Sequence, residues 1–245
     1  MQNKYRINAQ FNNFLNAITD IKAIFSSSNV SIHKARNELK IIDIEDVSCV
    51  VKSFKVPNVV NQIAYSFFRD SKAKRSYEYS LKIKEFTPTP IAYIEFYSFG
   101  LLKESYFISE RFNYDFTIRE PLDDKHFSDR DKIFKAFAQF TLSLHDKNIQ
   151  HNDYSPGNIL VKKAANGEYI FKIVDINRMR FQSLSLDERA QNFAKLSASE
   201  EDLQIIAAEY TKLHKCDLHF ISKVLEAADR HTKFRMMKKK LKGKK

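Results

Sequence analysis

Phe11, Phe14, Leu15, Ile18, Ile21 and Phe25 recur at helical spacing, which predicts an amphipathic helix over 11–25 that ends before Ser26-Ser27-Ser28 and packs on the domain. Beyond it the hydrophobic period shortens. Runs at 30–34, 39–44 and 48–54 have β character, and Arg36-Asn37-Glu38 and the acidic stretch 43–46 separate them, so three antiparallel strands are expected. After Pro57 the pattern turns helical over 59–68 and again over 71–84. Two more β-like runs, 91–99 and 105–110, flank Gly100 and complete a five-stranded sheet.

The second half is mostly helical in pattern. Ser128-Asp129-Arg130-Asp131 reads as a helix start with a variant capping box, leading into Ile133, Phe134, Phe137, Phe140, Leu144 and His145. Short β-like runs at 159–162 and 169–174 enclose Ala164-Ala165-Asn166-Gly167, and Asn-Gly is a strong hairpin signal. Helical patterns follow at 187–196, 200–213 and 217–228, the second opening on Ser199-Glu200-Glu201-Asp202. The expected fold is therefore α+β: an antiparallel sheet in the first half and a helical second half. The chain divides into an amphipathic helical segment 1–28, a sheet-bearing lobe 29–110, a helical lobe 111–230 and a basic tail 231–245, with Glu110-Arg111-Phe112-Asn113 as the hinge.

At 245 residues, 43% of them hydrophobic, there is material for one large domain or two lobes with substantial cores. The net charge of +11 is lopsided, because Lys233, Arg235, Lys238, Lys239, Lys240, Lys242, Lys244 and Lys245 crowd the last fifteen residues with no acid among them; without those eight the chain carries +3. Such a tail is either solvated and disordered or lies on anionic lipid headgroups, with Phe234, Met236, Met237 and Leu241 as apolar contacts. Nucleic acid is not the expected partner, since no DNA-reading module or aromatic RNA-binding motif is present. Cys49 and Cys216 stand far apart without metal-ligand spacing and suggest buried thiols in a reduced compartment. The opening residues lack the apolar run of a signal peptide, and 91–102, the longest apolar stretch, contains Glu95 and is too short to span a bilayer. The expected location is cytoplasmic, with any membrane association peripheral.

Candidate chemistry concentrates in His151-Asn152-Asp153-Tyr154-Ser155-Pro156-Gly157-Asn158, followed seventeen residues after Asn158 by Asp175-Ile176-Asn177. Phosphoryl transfer needs a carboxylate beside the attacking hydroxyl and oxygen ligands that hold magnesium against nucleotide phosphates. Asp153, Asn158 and Asp175 supply those groups. Their spacing matches the kinase pattern H-R-D-x-x-x-x-N, with Asn152 in place of Arg. Pro156-Gly157 suits the intervening turn, glycine because it tolerates positive φ. The hairpin would carry Asp175 back to the neighbourhood of Asn158. His145 and His151 are expected to hold the loop rather than react.

The nucleotide requires a lysine as well. Lys52, in Val50-Val51-Lys52, resembles the third-strand lysine that contacts the α- and β-phosphates, with Lys55 as a competitor. Glu78, beside Tyr77 and Leu81, is the best placed helical acid to anchor it. The first hairpin, which covers the phosphates in kinases, has no glycine here; the chain's four glycines are at 100, 157, 167 and 243.

Taken in order, Arg36-Asn37-Glu38, Val51-Lys52-Ser53-Phe54, Arg75-Ser76-Tyr77-Glu78, the run 151–161 and Asp175-Ile176-Asn177-Arg178-Met179-Arg180 resemble the lipopolysaccharide kinase family, the Kdo and heptose kinases of Gram-negative bacteria. The resemblance covers roughly residues 30–215. It implies a two-lobed protein-kinase-like fold and ATP with Mg2+ as cofactors. It further implies Asp153 as catalytic base, Asn158 and Asp175 as magnesium ligands, and Lys52 with Glu78 at the phosphates. Asn177 stands where protein kinases have glycine and can adopt the left-handed conformation that glycine often supplies. Arg178 or Arg180 would face an anionic acceptor such as a Kdo carboxylate. The implied function is phosphorylation of a Kdo or heptose hydroxyl on Kdo-lipid A at the inner membrane. Two alternatives stay open: a phosphotransferase for a small molecule or a protein, and a non-catalytic pseudokinase scaffold.

Overall fold

A computed structural model describes residues 2–34, 37–215 and 217–243. Arg36, Cys216, Lys244 and Lys245 lie outside the described residues. The chain forms two compact units, residues 1–112 and 113–245.

The first unit is built on a six-stranded antiparallel sheet rather than the expected five. Its elements are β1 (Gln2–Ile7), α1 (Leu15–Thr19), α2 (Ile21–Ser27), β2 (Ser31–Lys34), β3 (Asn37–Ile44), β4 (Val47–Phe54), α3 (Val59–Phe67), α4 (Lys72–Ile83), β5 (Pro90–Ser98) and β6 (Leu101–Glu110). Strand order is β1-β5-β6-β4-β3-β2. The extra strand is β1, whose outward positions Gln2 to Arg6 are all exposed, so no buried alternation marks it. Pairing with β5, from Gln2 opposite Tyr97 to Ile7 opposite Ala92, holds it instead.

The amphipathic segment is also broken. A 3-10 turn over Ala9–Phe14 leads into α1, and Asp20 interrupts the path to α2. Its apolar side chains still do what their spacing implies. Phe11, Phe14, Ile18, Ile21 and Phe25 are buried with Val51, Ile94 and Ile108 on one face of the sheet. Lys40 seals this layer by donating from Nζ to the carbonyls of Phe25 and Ser28, both at 2.7 Å. Cys49 is a free buried thiol, and burial pushes it up to about 12. On the opposite face Phe54, Tyr93 and Tyr77 of α4 form a second, smaller cluster. The β3–β4 turn takes positive φ at both Glu45 and Asp46, the geometry of a tight two-residue hairpin, without using glycine.

The second unit comprises β7 (Phe116–Thr117), α5 (Arg119–Asp123), α6 (Arg130–Asp146), β8 (Ile149–His151), β9 (Ile159–Lys163), β10 (Tyr169–Ile173), β11 (Met179–Phe181), α7 (Leu186–Phe193), α8 (Glu200–His214) and α9 (His219–Lys242). The predicted hairpin is β9–β10, with Tyr169 opposite Lys163 and Gly167 at φ +79° closing the turn. β7 adds to β9, and β8 pairs with β11. Asp129 does not cap α6: it is left-handed, and its carboxylate instead takes bonds from Lys163 Nζ and Tyr169 Oη at 2.8 and 2.9 Å. A buried Arg130–Asp202 ion pair ties α6 to α8. The basic tail, as far as Lys242, is the end of α9. Lysine, arginine, methionine and leucine are all good helix formers, and nothing breaks the run before Gly243.

His145 of α6 sits in this helical core. Arg189 Nη1 donates to Tyr210 Oη at 2.9 Å, and the Tyr210 hydroxyl and His145 Nδ1 share a hydrogen bond, also at 2.9 Å. Burial, with Arg189 and His214 nearby, lowers its pKa to about 3. The folded ring is therefore neutral. Below pH about 6.5 the unfolded chain takes up a proton that the folded chain refuses, so stability falls toward acid by about 1.4 kcal/mol per pH unit until pH approaches 3. Urea unfolding at mildly acidic pH should show this extra loss in the native chain and its absence in His145→Phe.

Candidate active site

The site loop begins where β8 ends. His151 is buried, and its ring joins two segments: Asp153 N–H donates to Nδ1 at 3.0 Å, and Nε2 lies 2.9 Å from the Val174 carbonyl. An accepting Nδ1 puts the proton on Nε2, which donates to Val174. Burial lowers the His151 pKa, so the ring stays neutral. The imidazole is thus a strut between the residue before Asp175 and the backbone of Asp153.

Below it, Tyr154 is fully buried, with Oη 2.9 Å from the Thr141 hydroxyl and its ring stacked on Phe137 at 5.7 Å. Motif matching passed over this residue. An aromatic inside an otherwise polar loop was the available signal. The loop then makes a 3-10 turn over Pro156–Asn158, and Asn158 Nδ2 donates to the Asp153 carbonyl at 2.9 Å. Val174 N–H donates to the Asn158 carbonyl at 2.9 Å, which sets Asp175 beside Asn158. Asp153, Asn158 and Asp175 are therefore brought together within the second unit, as the hairpin argument expects.

Two conformational options are not taken. Gly157 does not take positive φ. What it supplies is space: a Cβ there would lie 2.7 Å from Arg119 Nη2, so the bare backbone lets the guanidinium rest on the loop. Asn177 is not left-handed either. The left-handed residue is Asp175 itself, at φ 55°, because the chain must turn sharply out of β10 into the 3-10 turn Ile176–Arg178. Asn177 instead donates from Nδ2 to Asp175 Oδ1 at 2.6 Å, fixing the carboxylate.

The Asp153 carboxylate is 41% exposed, and its nearest cation is Arg178, with Nη1 3.7 Å from Oδ2. Asn152, in the position usually held by arginine, donates to the Arg178 carbonyl at 2.8 Å. Arg180 is exposed on β11, opposite Gln150. A magnesium ion asks for oxygen ligands, one or two from carboxylate, with phosphates and water completing the shell. The residues present fit. Asn158 has committed its amide nitrogen, leaving Oδ1 without a hydrogen-bond donor among the described residues, and Asp175 adds an oriented carboxylate.

The first unit holds Lys52 and Glu78. Val51 is buried on the α1–α2 face, whereas Lys52 lies on the opposite face with Phe54, its Nζ 5.3 Å from that ring. Lys55 falls beyond the end of β4 and is exposed. Glu78 on α4 accepts from Arg6 Nη1 of β1 at 3.0 Å. Because β1 was not foreseen, neither was this pair.

A buried histidine that ties the Asp153 loop to the segment bearing the left-handed Asp175 is the arrangement expected of a protein-kinase-like phosphotransferase. The family model for the lipopolysaccharide kinase (Kdo/WaaP) family matches residues 87–216, just over half of the chain. The chain belongs to that family. Among solved structures, WaaP in complex with acyl carrier protein is similar, with a TM-score of 0.59 at 13% identity over 93% of this chain and 99% of that one; at this identity the likeness speaks for the fold. No curated protein matches by sequence.

Proposed function

We propose that the protein transfers the γ-phosphate of ATP to a hydroxyl of a Kdo or heptose residue in the inner core of lipopolysaccharide, with Kdo-lipid A or a related glycolipid as acceptor. The observation that carries this reading is the His151-linked loop pair, which sets Asp153, Asn158 and Asp175 together in a chain of this family. Asp153 orients the acceptor hydroxyl and takes its proton as the oxygen bonds to the γ-phosphorus and the bond to the ADP oxygen breaks. Asn158 and Asp175 hold magnesium, which when bound neutralises phosphate charge. Lys52 aligns the α- and β-phosphates, and Glu78 becomes its acidic partner by leaving Arg6.

Arg178 is the residue nearest the base that suits an anionic acceptor, either a carboxylate or a phosphate, and Arg180 follows it two residues on. Arg178→Ala is expected to raise acceptor KM on the order of tenfold, the worth of one charge-assisted hydrogen bond, with ATP KM unchanged. Steady-state kinetics with each substrate varied in turn checks this, and an unaltered acceptor KM removes Arg178 from the acceptor site.

The basic end of α9 would add attraction to an anionic bilayer, giving a peripheral protein on the cytoplasmic face of the inner membrane. Its Phe234, Met236, Met237 and Leu241 are exposed. No helix among the described residues is long and apolar enough to cross a membrane.

The deciding experiment is transfer of labelled phosphate from ATP onto purified Kdo-lipid A beside aminoglycoside and protein acceptors. Label on Kdo-lipid A alone supports the proposal. Label only on another acceptor replaces it with the broader phosphotransferase reading, and magnesium-dependent ATP binding without transfer to any acceptor replaces it with the pseudokinase.

A further inference from the structure

The helix α3 is turned inside out. Val59, Val60, Ile63 and Phe67 fall within roughly a third of its circumference at 3.6 residues per turn, the arrangement of a core-facing stripe. Yet all four are exposed, Val60 to 75%. The side that meets the sheet is polar. Gln62 is buried, donating to the Pro57 carbonyl at 2.8 Å and accepting from Lys103 Nζ at 2.9 Å, and Ser66 Oγ accepts from Leu102 N–H at 2.9 Å. Hydrogen bonds dock the helix; its apolar stripe takes no part.

The apolar surface continues beyond the helix. Phe68 is 83% exposed at its carboxyl end. The Ser66–Leu102 bond brings that end beside the β5–β6 tip, where Phe99 is entirely exposed and held at φ 51°. Phe99 and Gly100 are the two positive-φ residues of a tight hairpin turn between the paired Ser98 and Leu101, a position phenylalanine rarely takes, and the ring gains no burial there. Two neighbouring elements thus present phenylalanines to solvent.

The charges around this patch are mainly positive. On either side of α3 in sequence stand Lys55 and Arg69, with Arg69 laid over the Tyr65 ring at 4.4 Å. Lys103, bonded to Gln62, adds another cation, and Asp70 is occupied by Lys74 at 2.7 Å. Apolar side chains rimmed by cations suit the boundary between acyl chains and anionic headgroups, where a helix lies in the plane of the interface.

We propose that α3 and the β5–β6 tip form a membrane-inserting patch that seats the first unit on an anionic lipid bilayer. It rests on the reading of a lipid-anchored acceptor: an enzyme whose acceptor is embedded in a bilayer gains local concentration by docking on it. The patch is separate from the basic end of α9. α9 supplies long-range attraction, whereas α3 supplies apolar contact.

The chain has no tryptophan, so Phe99→Trp or Phe67→Trp introduces a single indole reporter at the patch. On adding phosphatidylcholine vesicles containing phosphatidylglycerol to the full chain, the emission of each should move to the blue and be quenched by lipid brominated in its acyl chains. Val60→Glu with Phe67→Glu should lower vesicle binding by about tenfold or more, as losing inserted apolar contacts requires, with the melting temperature kept because neither side chain is packed. Emission that stays solvent-like while the chain pellets with vesicles overturns the proposal, as does a blue shift that depends on protein concentration without lipid, which would make the patch a self-association surface. The tryptophan readout decides even if the double variant fails to fold. Failure to phosphorylate Kdo-lipid A would remove that acceptor and leave this lipid measurement standing on its own.

Discussion

Asp153→Ala is expected to reduce phosphate transfer by on the order of 10²–10⁴, the range supplied by a positioned general base, with ATP affinity close to that of the native chain. The separation of the two effects follows from the geometry. The Asp153 carboxylate bears no hydrogen bond among the described residues, and its one ionic neighbour is Arg178, so truncation removes the proton acceptor and little else. What Asn158 uses is the backbone carbonyl of residue 153, which the variant retains. Single-turnover transfer and calorimetric ATP titration on the same preparation test both halves. Near-native turnover would remove Asp153 from the chemistry.

His151→Ala should damage both activity and stability. The ring is buried and satisfied at both nitrogens, by Asp153 N–H and by the Val174 carbonyl. Its loss leaves a cavity against Tyr154, whose ring centroid is 5.8 Å away, and strands a backbone donor and acceptor. Each stranded group costs about 1–3 kcal/mol when water cannot reach it, so the two together cost roughly 2–6 kcal/mol before the cavity is counted, a large share of a typical domain's margin. Transfer should fall further than the folded fraction does, because one ring positions both the segment bearing Asp153 and the segment bearing Asp175. Denaturant titration gives the first quantity, and activity normalised to folded protein gives the second. A variant as stable as the native chain would show that packing alone holds the loops.

The loop pair was readable in the sequence because its spacing is fixed by the turn it makes and its residue types by the chemistry. The hairpin between Asn158 and Asp175 announced itself through Asn166-Gly167, and Gly167 indeed takes positive φ. Less legible were the places where conformation and residue type part company. The turns at Asp175 and at Glu45-Asp46 use left-handed acidic residues where glycine would be the first guess. Periodicity located α3 and α4 well, since Asn58 and Ser71 cap them through their side chains. It could not tell which way α3 faces, because a helical stripe specifies a surface and not what covers it. The tail was read through its charge, which favours solvation, whereas its helix propensity decides the backbone. β1 left the faintest trace, being a strand whose side chains bury almost nothing.

That strand has a consequence for the integrity of the sheet. Inside β1 lies β5, whose residues from Ile91 to Tyr97 are all buried and, Glu95 apart, apolar or aromatic. Without β1, the outer backbone groups of β5 would form an open row of donors and acceptors on a largely apolar strand, the arrangement that recruits a second chain into edge-to-edge aggregates. The residues β1 turns outward, Gln2 to Arg6, include two cations and no large aliphatic side chain, which makes the new edge a poor template. β1 is best understood as an insulating strip: it adds little to the core and keeps the sheet from growing.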